Sequence, residues 1–176
     1  MKKIICLVLA LMCLCSCLCA CNKEEMPSTY SFPAYQRMSY TDFINFAMEK
    51  GYSPIENTDN IGFKFKKSFS IDDGDCYSLI FYELDNKEEA YAYFSYLMQG
   101  YGVYTAQFSK HEKFNDAGYY ITKDGEFSAY FAFVDNTLIY SMIFTDDEAK
   151  RTEKQNELIN FINFVQYPIS QFPTMN

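Results

Sequence analysis

The chain has 176 residues and a formal net charge of −8, with 17 Phe and 16 Tyr but no Trp. This acidic balance repels phosphate backbones and anionic headgroups, so nucleic acid is not an expected partner and a folded domain should stand off a lipid surface. The length suits one domain with a sizeable core.

Met1-Lys2-Lys3 is a short basic start, and residues 4–21 form a largely apolar run without a charge. That combination makes an export signal. Leu18-Cys19-Ala20 directly before Cys21 resembles the lipobox of bacterial lipoproteins, in which a branched apolar residue stands three before the cysteine and a small residue stands next to it. Leu18 and Ala20 match, while Cys19 at the middle position departs from the pattern. Leu14-Cys15-Ser16 before Cys17 is a second candidate, but it would leave residues 18–21 as an apolar start to the mature chain. The expectation is therefore a signal peptide over residues 1–20 and a lipid on Cys21, holding the chain on the extracytoplasmic face of the cell membrane. An uncleaved transmembrane anchor is the alternative, because 18 residues as a helix span about 27 Å at ~1.5 Å per residue, close to the ~30 Å hydrocarbon core.

Six of the seven cysteines fall in this segment, where cysteine acts as a small apolar residue. Cys76 is then the one mature thiol and forms no internal bridge, so the domain must be held by its core. Without Lys2 and Lys3 the mature chain carries 13 basic against 23 acidic side chains, a net charge of −10. Residues 21–38, with Pro27, Ser28, Ser31 and Pro33, read as the lipidated cysteine and a flexible tether.

A domain over residues 39–168 follows, with 169–176 as a C-terminal tail. Its first helix should start near Ser39 or Thr41 and stop at Gly51, a natural left-handed cap. Two weaker strands occupy about 61–70 and 76–84. The second helix is capped by Asn86, with Glu89 three residues on, and carries Ala90, Tyr93, Phe94, Leu97 and Met98 at helical spacing until Gly100. Asp124-Gly125 and Asp135-Asn136 read as two-residue hairpin turns, making 117–144 a three-stranded meander. The last helix opens on Thr145 and Glu148 as a capping pair, buries Leu158, Phe161, Ile162 and Val165, and closes at Pro168. The predicted fold is α+β: an antiparallel sheet of about five strands with helices mainly on one face, in the order α-β-β-α-β-β-β-α. Phe43-Ile44-Asn45-Phe46 recurs as Phe161-Ile162-Asn163-Phe164, but the flanks do not align, so the pattern is no repeat.

Phe81-Tyr82-Glu83-Leu84 leading into a helix with Ala90 and Phe94, and the hairpin Asp135-Asn136-Thr137-Leu138-Ile139-Tyr140, resemble segments of a group of small lipoproteins of Gram-positive bacteria. The resemblance implies a lipoprotein with an α+β domain, and it implies no activity and no binding residues.

The residues that could carry chemistry are few. His111 lies in the charged stretch Ser109-Lys110-His111-Glu112-Lys113 and reads as an exposed strand-edge residue. A triad would need it beside a nucleophile and a carboxylate. Cys76 is flanked by Tyr77, Leu79 and Phe81, which suits a buried and inert thiol. Asp72-Asp73-Gly74-Asp75 matches a calcium loop at one position only, since Phe69 and Ile71 occupy the other ligand places, and 56–62 fails at Ile61. Both read as polar turns. No cofactor or metal is expected. Tyr130 and Tyr140 sit on strands with large apolar residues on both faces, which reads either as a sheet covered on both sides or as an aromatic partner surface. The expected function is a non-catalytic, membrane-tethered module binding a protein or small molecule. The alternative is an envelope hydrolase using carboxylates that the sequence does not pair.

Overall fold

The computed structural model describes residues 35–58, 62–102, 108–113 and 116–169. Helix α1 spans Tyr40–Glu49. Strands β1 (Ile55–Glu56), β2 (Phe65–Asp72) and β3 (Tyr77–Leu84) follow, then helix α2 (Lys87–Gly102). Strands β4 (Phe108–Lys113), β5 (Ala117–Asp124), β6 (Phe127–Val134) and β7 (Thr137–Phe144) lead to helix α3, Glu148–Val165. The seven strands form one antiparallel sheet in the order β1-β2-β3-β7-β6-β5-β4.

The fold is therefore α+β, as the patterning predicts, with two strands more than the five expected. Both additions are edges. β1 is two residues long, too short for an alternation, and β4 is Phe-Ser-Lys-His-Glu-Lys, too charged for one. Charged and short edge strands discourage pairing with other chains.

Side-chain alternation sends each central strand's apolar residues both ways. Phe81, Tyr130 and Ile139 face α1 and α3, where Phe43 stacks on Phe81 and Phe46 packs against Phe161 at 4.4 Å between ring centres. The Phe-Ile-Asn-Phe recurrence thus places an aromatic of each helix against the other. Tyr82, Phe131 and Tyr140 face α2 through Tyr93 and Phe94. Two helices share one face of the sheet and the third covers the other.

Local chemistry sets the element ends. Ser39 and Asp42 form a capping box at α1. Asn86 Oδ1 accepts the Glu89 N–H at the start of α2. The cap of α3 is Asp147 rather than Thr145: its carboxylate accepts from Ala149 and Lys150, while Thr145 Oγ1 accepts from Asp147 N–H. A carboxylate at that place also meets the positive end of the helix, which favours it over a hydroxyl. The Asp135-Asn136 turn stands as predicted, whereas the other loop is Gly125-Glu126, with Asp124 still paired to Phe127. Both loops need a left-handed first residue. Gly125 at φ +55° supplies it, so the loop shifts one place along the chain.

The tether ends earlier than the composition suggests. Met38 is buried, and Arg37 donates to Asn136 and to Glu83 at 2.7 Å, so the folded unit begins at Tyr35. After α3 the chain turns at Gln166 in the left-handed conformation, and Tyr167 is buried with its hydroxyl on Thr137.

Candidate functional site

Cys21 and Cys17 lie outside the described residues, and so do 59–61 of the second polar stretch. Tyr130 and Tyr140 are both buried, on opposite faces of the sheet. The Tyr130 hydroxyl donates to Pro168 O at 2.7 Å, and the Tyr140 hydroxyl is hydrogen-bonded to that of Tyr101. Burial raises the pKa of both phenols. The two tyrosines are core and offer no open partner surface. His111 stands on edge strand β4, opposite Tyr120 of β5. Cys76 is buried one residue before β3, and burial followed by Asp73 and Asp75 pushes its thiol pKa up. A thiol so placed is a poor nucleophile.

Two arrangements stand out among the described residues. The first is a polar cluster where the β2–β3 turn meets α3. Asp73 Oδ1 accepts the backbone N–H groups of Asp75, Cys76 and Tyr77 at 2.9–3.0 Å. Its Oδ2 faces Lys154 Nζ at 3.2 Å, and Lys154 reaches Glu157 at 3.3 Å. Tyr52, after α1, donates to Glu157 Oε1 at 2.7 Å. Burial alone would raise the Asp73 carboxyl, but the bonds from Tyr77, Asp75 and Cys76 outweigh it and hold the pKa below the usual value. Burial opposes the charge on Lys154, yet Asp73, Glu157 and Tyr52 hold its pKa above the ordinary one. Tyr52 is pushed up to about 12 by burial and then by Glu157. Near neutral pH Asp73 is ionised and Lys154 protonated, so neither is poised to exchange a proton as general acid–base work requires. The cluster clips the hairpin to α3.

The second arrangement is an open concavity of about 510 Å³ at the sheet end formed by the β2–β3 turn, the start of β6 and the end of β7. Phe127, Met142 and Phe144 line it, with Asp72, Asp75 and Cys76 along one side. Phe144 is the last residue of β7 and pairs with Phe127. Tyr101, in the last described turn of α2, stacks on Phe127 at 5.7 Å, which places that turn beside the concavity. Phe144 is 63% exposed, in a strand whose first five residues are buried. Sequence reasoning singled out Tyr130 and Tyr140 on these strands as the possible partner surface rather than Phe144. The available signal was the position of Phe144 at the end of an apolar run, followed at once by the polar Thr145-Asp146-Asp147.

Asp72-Asp73-Gly74-Asp75 is a polar turn, with Gly74 at φ +73° and its N–H bonded to Asp72. Among the described residues no group of three His, Cys, Asp or Glu side chains could hold a metal ion, and no helix is long and apolar enough to cross a membrane.

No family model matches the chain, and no curated protein matches it. Among solved structures, the chain is similar to a protein described as a GTP binding regulator from Thermotoga maritima. The match has 13% sequence identity and a TM-score of 0.45, covering 76% of this chain and 91% of that one. A likeness this distant carries no argument about ligand or activity.

Proposed function

We propose that this protein is an extracytoplasmic lipoprotein, anchored through Cys21, whose domain is a non-catalytic binding module. Its contact face in this reading is the sheet end bearing Phe144. The observation that supports it is the concavity itself: a large aromatic side chain left 63% exposed beside a partly buried Phe127 and Met142. Phe144 is exposed within a concavity, the shape in which ligands and partner side chains are buried. The locked charges of Asp73 and Lys154 weigh against a hydrolase built on that carboxylate cluster. The signal-like start, Leu18 and Ala20 before Cys21, and the likeness to small Gram-positive lipoproteins support the anchor. Two acyl chains would hold the chain far more firmly than one, at ~0.8 kcal/mol per buried methylene.

The module is tested by placing a photo-crosslinking side chain at position 144 on intact cells, with position 91 as an exposed aromatic control. Capture of one discrete partner from 144 alone is expected. Equal labelling from both positions, or none from either, would defeat the reading. The anchor is tested by intact mass of the membrane fraction, which should show loss of residues 1–20 and gain of a diacylglyceryl group. A Cys21→Ala chain that is still processed and lipidated would move the site elsewhere.

A further inference from the structure

We propose that the Phe144 concavity takes a cationic segment of a partner polypeptide, one that carries an apolar side chain among its lysines or arginines. The inference rests on the binding-module reading and names the chemistry of its partner.

The floor of the site is apolar, through Phe127, Met142 and Phe144. Its surroundings are acidic. Asp72 and Asp75 line one side. Glu126 lies beside Phe144, because its carbonyl accepts the Thr145 N–H at 2.9 Å. Asp146 follows Phe144 by two residues, and Asp72, Asp75, Glu126 and Asp146 are all exposed. The cations at this end are paired or turned inward. Lys150 pairs with Asp75, Arg151 is buried and donates to the Thr145 carbonyl at 2.6 Å, and Lys123 is buried. With Asp75 paired to Lys150, the exposed excess around the apolar floor is negative through Asp72, Glu126 and Asp146.

Such a surface selects by both terms at once. An apolar ligand without charge gains the floor but not the rim, and a bare cation gains the rim but leaves the floor wet. Anionic lipids and nucleic acids meet repulsion. A second copy of this chain would bring a like-charged rim against the first, since a two-fold interface apposes the same patch to itself. A basic segment with an apolar anchor satisfies floor and rim together, and complementary charge also speeds its capture.

The test uses the full chain in non-ionic detergent and three labelled peptides of equal length: alternating lysine and leucine, alternating glutamate and leucine, and lysine alone. Fluorescence anisotropy reads binding at low and high salt. The lysine–leucine peptide is expected to bind and to weaken with salt, and Phe144→Ser should reduce its affinity about tenfold, a change of about 1.4 kcal/mol. Asp72→Asn combined with Glu126→Gln should weaken it and flatten the salt dependence. Unchanged melting temperatures of these variants keep a loss of binding separate from a loss of fold. Equal affinity for the glutamate–leucine peptide would overturn the proposal, as would equal binding by wild type and Phe144→Ser. Sedimentation showing self-association that Phe144→Ser abolishes, with no peptide bound, would name a second copy as occupant instead. If residue 144 captures a partner on cells while the lysine–leucine peptide fails to bind, the cationic assignment falls and the binding module stands. If neither occurs, both fall.

Discussion

Asp73 shows how one side chain can be wholly absorbed by structure. Its two oxygens serve three backbone N–H groups and Lys154, with both side chains largely buried. Asp73→Asn should cost about 1.5–3 kcal/mol at neutral pH, the range for hydrogen bonds to charged groups. Because the folded carboxyl pKa is depressed, its contribution is present above the unfolded value and is lost as pH falls through the folded one. The stability gap between wild type and variant, read by urea denaturation, should therefore narrow as pH drops below about 4. A gap constant down to the acid limit would refute the role. Tyr52 acts at the other end of the scale. With its folded pKa raised to about 12, its contribution is complete below the ordinary phenol value of 10 and is lost as pH rises from there. Tyr52→Phe should flatten that alkaline limb. In the core, Tyr130→Ala should destabilise by about 3–5 kcal/mol, as large aromatic deletions do. Tyr130→Phe should cost only the bond to Pro168, about 1 kcal/mol. Equal losses for the two would mean that the hydroxyl, not the ring, holds this part of the core.

At the level of elements, the helices and the meander were legible because their signals are local. Ser39, Asn86 and Gly51 mark helix ends by their own chemistry, and the period of α2 survives because one face meets the sheet. What escaped the sequence depends on partners distant in the chain. β1 and β4 exist because β2 and β5 offer edges, not because their own residues alternate. The Asp73–Lys154–Glu157–Tyr52 cluster joins three segments whose spacing carries no pattern, and Phe144 reads as one more strand aromatic until its exposure is seen. The α3 terminus gives an element-scale prediction. Gln166 is exposed and left-handed at φ +57°, a conformation that costs a non-glycine residue about 1 kcal/mol or more. Gln166→Gly should raise stability by about 0.5 kcal/mol after its greater unfolded-state entropy is allowed for. A lowered denaturation midpoint would show that the glutamine side chain contributes more than its backbone costs.

Over the whole molecule, the sheet joins two parts of the chain along one seam. β1, β2 and β3 form one antiparallel run, and β4 to β7 form another; β3 and β7 sit side by side at the centre of the order. The seam carries seven partner pairs from Tyr77–Ile143 to Glu83–Thr137, and both of its faces are covered, by α1 and α3 on one side and α2 on the other. Neither run can bury its inner strand alone. Phe81 needs Phe43 and its neighbour Ile139, while Tyr140 needs the α2 layer that also packs on Tyr82. Folding should therefore be cooperative across the seam, with one global opening rather than two independent ones. Native-state hydrogen exchange checks this. Amides of β3 and β7 should exchange slowest and at a common free energy that equals the global stability from denaturation, and Ile55–Glu56 should exchange fastest among the strands. Ile139→Ala, which removes a fully buried side chain at the seam, should lower that common value by about 2–5 kcal/mol on both sides alike. If β7 responds and β3 does not, the two runs open separately and the sheet is two foldons placed edge to edge.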